Sequence, residues 1–196
     1  MLKGYRKDQR GKGDRDLNAA VMTRAALMAA FTAVAAQVAI PLEPVPFTLQ
    51  VLAVVLTGLL LGPRYGALAM AVYVLVGAIG VPVFAGFRGG LGVLLSDTGG
   101  YLLSYPLAAA IAGLAARSAA NAPRRRALAA GFVWGTAALA VIYALGATWL
   151  SVLAGLPPAA ALAAGVLPFV PFDLIKVGLA AVVAVAVAPA IATSRV

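Results

Sequence analysis

Residues 127 to 167 carry no charged side chain. That run constrains the fold more than any motif does, because about 20 consecutive apolar residues cross a hydrocarbon layer of roughly 30 Å. The rest of the chain conforms: 63% of its 196 residues are hydrophobic and 11% are charged, and the mean hydropathy is +1.01. A water-soluble domain of this size has no core large enough to hide so much apolar surface. The chain therefore reads as an all-α integral membrane protein whose first partner is the lipid bilayer.

Six hydrophobic spans are predicted, at roughly 20–40, 47–62, 66–82, 98–117, 127–154 and 169–191. They form one membrane domain over 19–192. Residues 1–18, MLKGYRKDQRGKGDRDLN, precede it as a basic tail, read as disordered or fraying. A basic start before an apolar run also fits a signal peptide, with Ala33-Val34-Ala35 as a nominal cleavage site. Alanine is so common here that such a match means little, and a retained first helix is the better reading. Pro41, Pro44 and Pro46 make PLEPVP a non-helical loop before span two. Gly62-Pro63-Arg64 predicts a tight turn between spans two and three, and the glycines of GFRGGLG (86–92) a flexible loop after span three. Pro157-Pro158 and Pro168 bracket a loop with room for a short helix.

Lysine and arginine set the orientation. With six spans and the N-terminus inside, every basic residue except Arg88 and Lys176 falls in 1–24, 63–65, 117–126 or the C-terminal tail. Both termini are therefore expected to be cytoplasmic. Glu43, Arg88, Asp97, Asp173 and Lys176 gather towards the outer face, which points to an outward-facing site for a polar solute. The net charge of +9 has this topological cause, and no nucleic-acid partner is implied.

Several classes of chemistry are excluded. Cysteine and histidine are absent, which removes disulfides, thiol chemistry, Cys/His metal sites and histidine-based catalysis. No G-x-x-x-x-G-K-[ST] phosphate loop is present, so ATP-driven work requires another subunit. No inverted repeat is evident, which argues against a self-sufficient secondary carrier. An intramembrane enzyme with Lys176 as base needs a nucleophile, yet no spacing pairs Ser104 or Ser151 with it.

Asp173 and Lys176 stand three residues apart in the apolar stretch PFVPFDLIKVGLA, on one face of a helix. A lone charge at mid-membrane costs about 2.5–3.5 kcal/mol on insertion scales, so such groups face a cavity or one another. Either the pair neutralises itself for insertion, or Lys176 receives an anionic group that Asp173 helps to orient. Thr48 and Gln50 open span two as helix caps, as links between helices or as ligand contacts. Asp97 is an N-cap or a rim residue, and Tyr101 an interfacial residue or a wall of the site. Ala25, Ala29 and Ala33, with Ala26 and Ala30 one position on, form a small-residue face that admits a second helix.

PVPFTLQ, LLLGPRYGALAMAVYVLVGAIGVPVFAG, TGGYLL and PF…D..K, in that order, resemble the BioY family, the substrate-binding S components of energy-coupling-factor (ECF) biotin transporters. The resemblance runs from about 22 to 190. It implies an S-component fold of six helices around an outward-facing pocket capped by the loop after span one. It further implies biotin as transported ligand, no cofactor, and a place in the bacterial plasma (inner) membrane. Partners would be a transmembrane T component and a pair of ABC-type ATPases. Asp173 and Lys176 fall on the family motif that holds the carboxylate side of biotin; Thr48, Gln50 and Tyr101 match its ureido ring by analogy, and Asp97 is a further candidate contact. Ala25, Ala29 and Ala33 match the face that docks on the T component. Ser-Asp-Thr at 96–98, where the family commonly has Gly-Pro-Thr, and Phe172 before the aspartate depart from the pattern. Another small anionic vitamin is the alternative ligand.

Overall fold

Gly62 reverses the chain. Its backbone (φ 76, ψ 179) is non-helical and precedes Pro63, so the run Gln50–Ala78 is a hairpin of two helical arms. A Cβ on Gly66 would lie 3.0 Å from Cα of Gly58, although eight residues of straight helix would separate them by about 12 Å. The expected turn at 62–64 is present, and its glycine supplies the positive φ that other residues adopt only with strain.

The structure, a computed structural model, describes residues 2–116 and 122–193, with side chains described over 19–116 and 122–188. Arg117, Arg195 and the basic side chains of 1–18, assigned above to the inner face, lie outside those described residues. The elements are α1 (Leu2–Gln37), β1 (Ala39–Ile40), β2 (Phe47–Thr48), α2 (the hairpin Gln50–Ala78), α3 (Leu91–Leu94), α4 (Gly99–Gly113), α5 (Arg124–Leu153), α6 (Pro158–Gly165) and α7 (Val170–Thr193). The backbone is helical from Leu2, ahead of the apolar span Ala19–Gln37; no proline interrupts 2–18, and most of its residues sustain a helix. Strands β1 and β2, which pair antiparallel (Ala39 with Thr48, Ile40 with Phe47), close the proline loop into a small hairpin. The short helix anticipated between Pro157 and Pro168 is α6.

Among the described residues, four helices are long and apolar enough to cross a membrane. Counting both arms of α2, and adding the shorter α4, gives six helical passes. The first arm, 50–61, spans only about 18 Å. The β hairpin leads directly into it. Small residues set the packing at the opposite end. Gly58 has room for no side chain because Ala109 and Ala112 of α4 press on it, and Gly113 abuts the Gly62–Pro63 turn. Such close approach lets dispersion and weak backbone contacts hold helices that gain no hydrophobic driving force from lipid.

The two ends of the bundle differ in charge. Arg64 in the turn and Arg124, Arg125 and Arg126 at the start of α5 share one end; Glu43, Arg88 and Asp97 share the other. Since the chain has no native cysteine, single cysteines test the orientation directly. Gly92→Cys, at a glycine with open space around it, should react with a membrane-impermeant maleimide in intact cells. Arg125→Cys should react only after permeabilisation. The reverse pattern would invert the topology.

Candidate functional site

Pro171 lies within the first turn of α7, where a missing N–H costs nothing, and the helix carries Asp173 in that turn and Lys176 one turn deeper. Both are buried, at 3% and 6% exposure. Lys176 Nζ stands 2.7 Å from Asp173 Oδ1, donates to the Thr48 carbonyl at 2.6 Å and lies 3.5 Å from the Phe47 ring centroid. The Tyr143 hydroxyl, from α5, donates to Asp173 Oδ2 at 2.8 Å. Each charge is thus compensated: the carboxylate accepts on both oxygens, and the ammonium meets an anion, a carbonyl and an aromatic face. Unpaired, either would be prohibitive at such burial.

A second polar chain runs beside the first. Thr48 Oγ1 donates to Gln50 Oε1 (3.0 Å) and accepts from the Gln50 backbone N–H (3.2 Å). Gln50 Nε2 donates to the Tyr73 hydroxyl (2.7 Å), which donates to the Val83 carbonyl (3.0 Å). Thr48 therefore accepts the first N–H of α2 from just ahead of the helix and also joins a network that crosses the bundle to the loop after α2.

These groups border a cavity of about 620 Å³, counted with the open solvent at its mouth. Phe47, Thr48 and Gln50 line one side, Tyr101, Leu102 and Tyr105 of α4 another, and Ile142, Tyr143, Phe169, Asp173 and Lys176 a third, with Arg88 also in the lining. The rings are interlocked: Phe47 stacks on Phe169 at 6.3 Å and meets Phe172 edge-on at 5.5 Å. Phe172, the departure beside the aspartate, thus braces Phe47, whose other role is to face Lys176.

Of the residues singled out from sequence, Thr48, Gln50, Tyr101, Asp173 and Lys176 converge on this cavity. Tyr101 is buried, so it is a wall rather than an interfacial residue; its hydroxyl donates to the Gly165 carbonyl at 2.9 Å and ties α6 down. Asp97 stays half-buried in the turn before α4, outside the cavity lining, while its neighbour Thr98 lines the cavity and shares a 3.2 Å hydroxyl contact with Ser96. Of the α1 alanines expected on a docking face, Ala25 and Ala29 turn inward and join the core and Ala33 packs against that core, while their neighbours Ala26 and Ala30 are exposed. Helix α1 must bury one side against α2, and its alanines occur on both sides. The enzyme alternative loses its nucleophiles: Ser104 Oγ donates to the Tyr101 carbonyl and Ser151 Oγ to the Leu156 carbonyl, and neither meets Lys176.

Tyr143, Phe47 and Arg88 are the contributors that motif reading missed as site residues. Arg88 is exposed at the mouth. Its Nε donates to the Ala85 carbonyl at 3.2 Å, and no carboxylate pairs with it among the described residues. A cation alone in the loop end of a membrane bundle was the available signal. Tyr143 gave none, since it is a lone tyrosine inside a long apolar run with no polar neighbour in sequence to mark it.

A helical membrane bundle with an aromatic cavity open at one end, a compensated buried ion pair inside it and an unpaired arginine at its mouth defines a solute-binding membrane protein. A family model described as the BioY family matches residues 9–193, and the chain belongs to that family. It is 44% identical over 167 residues to a protein of Thermotoga maritima named biotin transporter BioY, covering 83% of this chain and 92% of that one. It is also 41% identical over 159 residues to the probable biotin transporter BioY of Pyrococcus horikoshii, covering 81% and 90%. Among solved structures, a crystal structure of the S-component for biotin from an ECF-type ABC transporter superposes with a TM-score of 0.76 at 27% identity, over 88% of this chain and 92% of that chain. The fold is that of an ECF S-component, and the family is one of transporter components rather than enzymes.

Proposed function

We propose that the chain binds biotin in this cavity and is the substrate-specific subunit of an ECF transporter in the bacterial plasma membrane, energised by a separate T component and ABC-type ATPases. The observation that carries the reading is the pairing of a neutral, hydrogen-bonding end with a cationic mouth in one aromatic pocket. Biotin has matching parts: a urea with two N–H donors and one carbonyl acceptor, an apolar ring and chain, and a carboxylate.

The pair Asp173–Lys176 is already charge-neutral, and the ammonium protons of Lys176 have partners. It therefore suits a neutral urea better than a second anion: the Asp173 oxygens keep lone pairs for the urea N–H groups, and the Lys176 proton that faces the Phe47 ring is free to turn to the urea carbonyl. Arg88 spends one of its five N–H groups on Ala85 and keeps the planar fork of Nη groups that matches a carboxylate. This moves the carboxylate from Lys176, where the family motif would put it, to the mouth. Thr48, Gln50 and Tyr101 complete the wall, and Asp97 acts on the rim. Ala26 and Ala30, not the inward alanines of α1, form the face offered to the T component.

Binding of labelled biotin by the purified chain, competed with related vitamins, tests the ligand; equal competition by another anionic vitamin would overturn it. Arg88→Gln tests the orientation. A charge-assisted contact is worth about 1.5–3 kcal/mol, so this change should weaken biotin at least about tenfold and leave biotin amide nearly unaffected. Equal losses for both ligands would remove the carboxylate from Arg88.

A further inference from the structure

Gln37, the last residue of α1, belongs to none of the groups described so far, yet its side chain spans the gap between two distant segments. Its Nε2 donates to Ala33 O of its own helix and to Phe84 O, both at 3.1 Å. Its Oε1 accepts the Phe87 backbone N–H at 2.9 Å. Both loop groups lie in the segment that ends at Arg88. That segment is closed by Phe84 N–H donating to Arg88 O at 2.9 Å, and Arg88 Nε folds back on Ala85 O within it. The direction of the guanidinium therefore follows from the shape of five residues.

That shape is not one the loop adopts unaided. Phe87 has φ 56, a left-handed conformation that a bulky residue takes only with strain, and strain of this kind persists where surroundings over-determine it. One restraint is apolar: Phe84 is fully buried, fills the space left by the missing side chain of Gly77 and meets Tyr73 edge-on at 5.6 Å. It anchors the start of the segment, and beyond its end the Gly90 N–H donates to the Gly77 carbonyl at 2.7 Å. At Phe87 itself, the partner of the backbone N–H is Gln37. The amide thus satisfies one donor and one acceptor that the strained turn cannot satisfy internally.

We propose that Gln37 is a positioning residue for the solute site: it latches the 84–88 turn to the end of α1 and so keeps Arg88 facing the cavity. It touches no ligand and acts through Arg88, so its effect on binding rests on the reading of Arg88 given above. The latch also ties the rim of the cavity to the helix whose outer face carries Ala26 and Ala30. A tilt of α1 would be transmitted to Arg88 through one side chain.

Gln37→Met keeps the length and bulk of the side chain and removes both hydrogen-bonding functions. In the purified chain without ligand, the Phe87 amide should exchange with deuterium at least about tenfold faster in this variant, while amides in α4 keep their wild-type protection. With ligand, biotin should dissociate at least about tenfold faster, biotin amide should be much less affected, and Gln37→Met should add little to Arg88→Gln. Unchanged exchange at Phe87 would overturn the latch whatever the ligand does. Faster exchange with fully additive losses would overturn its action through Arg88. Faster exchange in a chain that fails to bind biotin would leave the latch standing and remove the ligand assignment instead.

Discussion

Lys176→Ala should cost more than any other single change at the cavity. The substitution leaves Asp173 buried with Tyr143 as its remaining side-chain partner among the described residues, and removing one member of a buried pair typically destabilises by about 3–5 kcal/mol. The yield of folded protein should fall, so affinity has to be measured per folded molecule. On that basis biotin should bind at least about tenfold more weakly, because the urea carbonyl loses its charged donor and Asp173 loses the cation that orients it. Biotin amide should lose affinity by a similar factor, in contrast to Arg88→Gln. Asp173→Asn should be milder: it keeps an acceptor for the lysine, although it turns part of the receptor into a donor facing Tyr143.

A double change separates the ligand role of the pair from its structural one. Lys176→Met with Asp173→Leu removes both charges and roughly conserves volume, and such replacements are often neutral or stabilising. This chain should insert and fold as well as the parent and bind biotin poorly. If it bound biotin normally, the pair would serve insertion alone. If Lys176→Ala harmed biotin but spared the amide, the carboxylate would sit on the lysine, as the family motif suggests, and Arg88 would have another task.

The pair was legible in the sequence because charge is so rare in the spans that two opposite charges at helical spacing have few explanations. The hairpin at Gly62 was legible for a similar reason, since glycine before proline is poor helix but good turn. The six passes, α6 and the clustering of polar residues at one end followed from apolar runs and prolines. What escaped depended on rotation and on distant contacts. Phe47 and Tyr143 are two aromatics among many, and only the docking of β2 and α5 against α7 brings them to Lys176 and Asp173. Gln37 is a lone amide at a helix end whose partners lie 47 and 50 residues away. The two-residue strands are too short for any alternation to show. The rotation of α1 was not legible for a different reason. Alanine occurs all round that helix, so no periodic signal says which side meets the bundle. Thr32 and Ala36, fully buried, mark the inward side only once the packing is known.

That rotation makes the docking surface a sharp test. Ala26 and Ala30 are exposed one turn apart on α1, with Met22 and Val34 extending the same row. Small residues at this spacing admit another helix to close contact, and a large ring there holds it off. Ala26→Trp with Ala30→Trp should therefore leave biotin binding by the isolated chain unchanged, since neither residue borders the cavity. Association with the T component should weaken and uptake fall at least about tenfold, the consequence of losing about 1.4 kcal/mol of contact. Ala29→Trp is the control. Its side chain would be forced into the core against α2, where overpacking costs about 1–3 kcal/mol or more, so folded protein and binding should fall together. Unchanged uptake with tryptophan at both 26 and 30 would exclude this row as the docking face, and a parallel loss of binding would show that α1 is rotated from the position described.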